Sequence, residues 1–296
     1  MVCGLLPVVL GYCNPQVNAA IRGQIDKGIS FNLATALEAE LAERLVEIIP
    51  CAEMVRFGKN GTDATSAAIR IARASTGRDH IIVCGYHGWQ DWYIGATTRN
   101  KGVPQAVFDL THPVPYNDVG AVRAVLDAYP GEVAALIMEP MNSADPAPGY
   151  LAELREVVHA AGAIFIFDEV ITGFRYALGG AQEYFDVVPD PAAFGKAMGN
   201  GMPISAIVGR ADLMKEMEDV FISATFGGET LSLAAAIAVI DKMRTESVIE
   251  SIWRTGERLA QGARERLSRV GLGDTIALRG KAPWMLLDLH DHANAS

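Results

Sequence analysis

The stretch IFIFDEV, Ile164 to Val170, decides the fold. Four apolar residues, Ile164, Phe165, Ile166 and Phe167, run without interruption into two carboxylates, Asp168 and Glu169. An unbroken apolar run of this length reads as a strand covered on both faces, the pattern of a parallel sheet. Sheets of that kind take ligands at the carboxyl ends of their strands, and Asp168 falls at such an end. Downstream, AFGKAMGNGMP sets Lys196 between Gly195 and Gly199, with Gly201 and Pro203 beyond. Small residues on both sides leave a lysine open to a flat ligand.

An acid at a strand end and a lysine in a glycine-rich turn suit one cofactor well. Pyridoxal phosphate (PLP) needs a lysine for its Schiff base and an aspartate facing its pyridinium nitrogen. The same pair also fits a plain reading, a buried Asp capping a helix and a Lys turned to solvent. On these two residues alone the plain reading is favoured, and it is the rest of the chain that reverses the preference.

Outward from the centre, strands and helices alternate. VAALIMEP, Val133 to Pro140, is a strand with Glu139 at its carboxyl end, and YLAELREVVHAAG is the helix that leads to the central strand. MVRFG, Met54 to Gly58, and ISAIVGR, Ile204 to Arg210, are further strands. ALEAELAERLVEIIP is an amphipathic helix, its Leu37, Leu41, Leu45 and Ile48 spaced by four, four and three. KNGTDATSAAIRIARAST reads as a turn and a helix; Asn60, Gly61 and Thr62 lie where one becomes the other. Free amides and a hydroxyl there make an anion site, although an ordinary N-cap gives the same pattern. It is no Walker loop, because Asn60 follows Lys59. IIVCGYHGWQDWY runs a strand into a loop crowded with Tyr86, His87, Trp89, Trp92 and Tyr93. One ring there could stack on a heterocycle; for Trp89 and Trp92 the favoured reading is a core cluster under the loop. LSLAAAIAVI is a core helix, and SVIESIWRTGERLAQGARERLSRVG a long amphipathic one with a charged outer face. At the ends, LLPVVL is expected to be a strand leading through a turn into a short helix, and WMLLDL, Trp284 to Leu289, a lone strand without a partner.

The class is therefore α/β with a mostly parallel sheet flanked by helices. At 296 residues the chain can bury a full core. A formal net charge of -10 argues against a nucleic-acid backbone binder. Cys3, Cys13, Cys51 and Cys84 form no CxxC pair and no zinc-type cluster with His, so no metal is expected, and reduced thiols in a cytoplasmic protein are the simplest reading. No apolar run approaches the ~20 residues of a membrane span. A nucleotide-binding Rossmann protein is disfavoured, since no GxGxxG follows the first strand.

The order of motifs resembles the class III aminotransferases of fold type I, and among them the glutamate-1-semialdehyde 2,1-aminomutase branch. MVRFGKNGTDATSAAIRIARASTGR is similar to the phosphate-loop region, GYHG to the aromatic-His-Gly loop and IFDEVITGFR to the Asp-Glu-Val stretch. FGKAMGNGMP resembles the Schiff-base lysine turn, and TFGGETLSLAA the glycine-rich threonine loop. The resemblance spans about Leu5 to Leu289. It implies PLP as cofactor, with Lys196 forming the Schiff base and Asp168 holding the pyridine nitrogen protonated. It implies Val170 against one ring face, Tyr86 stacked on the other, and Asn60, Gly61 and Thr62 on the phosphate. His87 is counted with the cofactor-binding residues and Glu139 with the neighbourhood, neither with a defined task. Thr225 would reach the phosphate of a neighbouring subunit, which implies a homodimer. The implied activity is amino-group transfer between a small-molecule amino donor and a carbonyl acceptor, or a 2,1-shift within one molecule, with no nucleic-acid or membrane partner.

The chain also departs from the family pattern. Ile171 follows Asp-Glu-Val where many ω- and ornithine-type members carry Gln, which favours the aminomutase side. GYHGWQDWY lacks the second His usual in the aminomutase, and Glu229 and Thr230 stand where Asn-Pro is usual. These differences suggest action on another amine, such as a sugar or small metabolite. Family members also extend further at both ends. The expectation is thus a remnant of the N-terminal segment over 1–30, a large cofactor-binding domain over 31–245, and the shortened start of a small C-terminal domain over 246–296. The alternative is a truncated, catalytically weak or inactive PLP-binding homologue that acts through dimerisation or partner binding.

Overall fold

A computed structural model describes residues 4–289, and Cys3 lies outside them. In chain order the elements begin with helices α1 (Pro15–Ile25) and α2 (Ala36–Ile48), strand β1 (Met54–Gly58), α3 (Gly61–Thr76) and β2 (His80–Cys84). Short helices α4 (Asp91–Ile94) and α5 (Gln105–Phe108) lead to β3 (Thr111–Pro113), α6 (Val119–Ala128) and β4 (Val133–Met138). Then come α7 (Tyr150–Ala160), β5 (Ile164–Glu169), α8 (Ala181–Phe185), β6 (Pro191–Phe194) and β7 (Ser205–Gly209). The chain continues through α9 (Ala211–Met214), α10 (Thr230–Thr245) and α11 (Val248–Arg269) into β8 (Ile276–Lys281) and β9 (Trp284–Leu289).

Seven strands form one sheet in the order β1-β7-β6-β5-β4-β2-β3. Strand β7 is antiparallel to both neighbours, and every other pairing in the sheet is parallel. The central run IFIFDE is β5, buried except at Ile164. Its two faces pack differently. Phe165 and Phe167 join Leu136 and Met138 in the core shared with α2, α7 and α10, whereas Ile166 joins Ala135 and Ile137 against α3. Apolar contact on both sides is why no polar residue interrupts this strand. Each fully buried Phe contributes about 1.5–3 kcal/mol through burial.

Register brings the strand ends level. Cys84 of β2 lies beside Met138 of β4, Met138 beside Phe167 of β5, and Phe167 beside Ala192 of β6. One step further along, Gly85, Glu139, Asp168 and Ala193 form the carboxyl rim of the sheet. Asp168 and Glu169 then part company, because successive strand residues face opposite ways. Glu169 is fully buried. Its Oε2 accepts bonds from Thr172 Oγ1 and the Ala181 amide, both at 2.6 Å, and its Oε1 from the Gln182 amide at 2.9 Å. That carboxyl pins the segment leaving β5 and is structural.

The structure corrects three expectations at the margins. LLPVVL is not a strand: Leu5 and Leu6 have φ of 64° and 75°, and Pro7 has no N–H to give a ladder. This segment instead crosses the lysine turn, with the Leu10 amide donating to Asn200 Oδ1 at 2.8 Å and Arg175 Nη2 donating to the Leu6 carbonyl. WMLLDL is not a lone strand: β8 pairs with β9 in an antiparallel hairpin, Ile276 opposite Leu289 and Lys281 opposite Trp284. Trp92 is buried as expected, but Trp89 is 68% exposed because the loop turns outward at Gly88.

Candidate active site

Three segments meet at the carboxyl rim, and a fourth packs beside the start of α3. Asp168 is the penultimate residue of β5 and is 5% exposed. Its Oδ2 lies 2.9 Å from His87 Nδ1, and its Oδ1 accepts the Val170 amide at 3.1 Å. A carboxylate accepts only, so His87 donates from Nδ1 and presents Nε2 on the other side of the ring. The His87 loop is itself anchored, since Thr65 Oγ1 on α3 donates to the His87 carbonyl at 2.9 Å.

Lys196 leaves β6 two residues after Phe194, which pairs with Glu169. It has φ of 27°, a sparsely populated backbone state for a side chain of this size and typical of functional positions. Burial pushes the Lys196 amine below the usual lysine range; Asp168 and Glu139 pull it back up, and Arg175 adds to the lowering. Lys196 is half-buried and within electrostatic reach of Asp168 and Glu139.

The third segment is the start of α3. Asp63 Oδ2 accepts the amides of Lys59 at 2.9 Å and Asn60 at 2.8 Å. Asn60 can thus offer its side chain but not its amide, whereas Gly61 and Thr62 occupy the first helical turn, where N–H groups lack partners within the helix. The glycine is forced by contact: a Cβ on Gly61 would lie 2.7 Å from Val170 Cγ1. This closeness welds the α3 turn to the Asp-Glu-Val strand.

The fourth segment is the loop before α10. Thr225 is exposed, as is Phe226 at 57%. Glu229, in the same loop, accepts the Leu231 amide at 2.6 Å and Ser232 Oγ at 2.6 Å, capping α10. It also pairs with Lys59 Nζ at 3.1 Å, both side chains mostly buried. Next to it, Thr230 Oγ1 donates to the Gly28 carbonyl at 2.8 Å. Sequence reading missed this staple; Glu229 and Thr230 stood out only as departures from the family pattern. Tyr86 is 57% exposed and meets Tyr93 edge-on, with ring centroids 5.6 Å apart.

Fit to PLP can be tested on orphaned polar atoms. Among the described residues, Thr62 Oγ1, His87 Nε2 and Ser205 Oγ are buried without a hydrogen-bond partner. Buried polar atoms normally have one. Thr62 Oγ1 is a donor on the proposed anion turn, and His87 backs the Asp168 carboxylate. That donor set, an acid backed by an imidazole, a desolvated amine and an anion turn, matches the ring nitrogen, aldehyde and phosphate of PLP. Among the described residues, no group of three or more His, Cys, Asp or Glu is arranged to hold a metal ion.

Comparison with known proteins gives the family. The family model described as "Aminotransferase class-III" matches residues 1–281. The chain belongs to the class III aminotransferase family. It is 39% identical to the glutamate-1-semialdehyde 2,1-aminomutase of Syntrophobacter fumaroxidans (strain DSM 10017 / MPOB), covering 90% of this chain and 66% of that protein. It is 36% identical to the 3-aminobutyryl-CoA aminotransferase of Cloacimonas acidaminovorans (strain Evry), covering 96% of this chain and 69% of that one. The chain thus spans about two thirds of the length of these class III relatives. Among solved structures, the FumI protein of Sphingopyxis sp. MTA144, in its PLP internal aldimine form, superposes with a TM-score of 0.93 at 28% identity, covering 98% of this chain and 71% of that one. The fold is that of the PLP-dependent transaminases.

Proposed function

We propose that this chain uses PLP to move amino groups between small molecules, as a class III aminotransferase or a 2,1-aminomutase. One observation carries the reading. A buried carboxylate with an imidazole donor, Asp168 with His87, ends the strand next to the one that delivers a desolvated lysine, Lys196.

When bound, PLP supplies a ring that accepts the electrons left behind as a proton departs from the amine-bearing carbon. Lys196 would hold it through Nζ. Asp168 would face its ring nitrogen and keep a proton there, while the His87 Nδ1–H fixes the carboxylate's direction. Val170 and Tyr86 would flank the ring, and Asn60, Gly61 and Thr62 would take the phosphate. A lysine amine lowered by burial is free of its proton nearer neutrality than one in water, so Lys196 can accept a proton from the substrate carbon and return it elsewhere. We further assign the chain to a homodimer in the cytoplasm, with Thr225 contributed across the interface. The exposure of Thr225 and Phe226 in one chain supports this, and among the described residues no helix is long and apolar enough to cross a membrane.

The test is spectroscopic. Protein loaded with PLP should be yellow, lose its visible band on borohydride reduction, and yield one labelled peptide containing Lys196. Lys196→Ala should retain no covalent cofactor; label in that variant would overturn the lysine assignment. Adding a panel of amino donors should convert the band to that of the aminated cofactor. No conversion with any donor would favour an inactive PLP-binding homologue. Turnover of an amino-aldehyde without an added keto acid would select the mutase over the transaminase.

A further inference from the structure

Glu139 is the acid at the rim that the reading above leaves without a task. It follows Met138 in β4 and so lies beside Asp168. It is 8% exposed. Among the described residues its carboxyl accepts a single hydrogen bond, from the Tyr86 amide to Oε2 at 3.2 Å. The loop accommodates it closely: Gly85 has φ of 110°, and a Cβ there would lie 2.6 Å from Glu139 Oε2. Glu169, fully buried on the neighbouring strand, takes four hydrogen bonds and is locked, but the Glu139 carboxyl has one.

We propose that Glu139 is a proton-holding positioning residue of this site: wedged between Asp168 and the Tyr86 amide, it fixes the 85–88 loop and, by gaining or losing a proton, sets the negative charge that Lys196 meets. The inference rests on the PLP reading for its catalytic consequence, but not for its titration. The groups around Glu139 support it. Burial raises its carboxyl to about 7, Asp168 adds to the rise, and His87, the Tyr86 amide and Lys196 oppose it. Cys84, Tyr93 and Tyr176 are further titratable neighbours, and Arg175 acts on Lys196. Protonated, Glu139 leaves Asp168 as the single acid facing the amine. Ionised, it places a second negative charge there and favours the protonated, inactive form of Lys196.

Two measurements test this. In the cofactor-free full chain labelled with 13C at the Glu side-chain carboxyl, the resonance lost in Glu139→Gln should titrate near neutrality; an inflection in the ordinary glutamate range of about 4.3 overturns the proposal. The second compares PLP-loaded wild type with Glu139→Gln, which keeps an acceptor for the Tyr86 amide but cannot titrate. The pH midpoint of the visible band should fall by about one unit in the variant, the effect of removing one nearby charge. Superimposable curves would leave Glu139 purely structural and overturn the proposal. If the wild type shows no visible band, the PLP reading fails while the carboxyl titration still decides the proton-holding claim. The wild-type titration also needs no stable variant beyond resonance assignment, for which Glu139→Asp serves if Glu139→Gln does not fold.

Discussion

Replacing Glu229 by Ala removes three things at once. The N-cap of α10 loses its side-chain acceptor, which costs about 1 kcal/mol. The bond from Ser232 Oγ goes with it. The Lys59 ammonium, whose side chain is 14% exposed, is left without its carboxylate, a loss of about 2 kcal/mol for a pair that is mostly but not fully buried. Glu229→Ala should therefore lower the urea-derived stability by about 3 kcal/mol at pH 7. Glu229→Gln, which can still cap, should lose about half as much. A double-mutant cycle with Lys59→Met should return a coupling of about 1–2 kcal/mol. The pH dependence has a definite sign. Burial pushes Glu229 up, but bonds from Ser232, Lys59 and the Leu231 amide outweigh it, and its folded value lies below the usual glutamate range. A depressed carboxyl stabilises fully above its unfolded value, and the stabilisation fades as pH falls through the folded one. The wild-type advantage over Glu229→Ala should thus be constant from pH 5 to 8 and shrink below about 4.5. A difference under about 0.5 kcal/mol at pH 7, typical of surface pairs, would refute the staple.

Two further substitutions probe contacts. Gly61→Ala should drive a methyl into Val170, cost about 1–3 kcal/mol in urea unfolding and weaken PLP binding at least about tenfold by fluorescence titration; adding Val170→Ala should recover part of both. Gly256→Ala on α11 should separate the hairpin from the helix, because its Cβ would lie 2.1 Å from the Ala282 carbonyl oxygen. Hydrogen exchange should then quicken in β8 and β9 while β4 and β5 keep their protection.

Where sequence carried strong periodicity, fold was legible. IFIFDE and VAALIM announce themselves because both faces are covered, and α2 because one face is. The short strands were not legible. PAAF has four residues and opens with proline, and THP has three; their strand character comes from pairing with β5 and β2, not from composition. IALRGK hides for another reason: β8 is half-buried at every position but the exposed Arg279 rather than clearly two-faced. At the site, Asp168 and Lys196 stood out because ionisable groups among apolar and small residues are expensive to bury. The His87–Asp168 bond, the Lys59–Glu229 pair and the isolation of Glu139 depend on which strand ends lie side by side, and register across the sheet cannot be read from local pattern.

The antiparallel strand β7 has a bearing on how the protein comes into being. Met54 of β1 pairs with Gly209 of β7, so the turn at Gly61 hangs from an edge that closes only after most of the chain has been made. Such distant pairing is slow to find. A nascent chain that has reached β5 already contains the anion turn and Asp168, but neither Lys196 nor the strand that clasps β1. With PLP held as proposed above, its capture would report completed topology, and by mass action would hold that topology against unravelling.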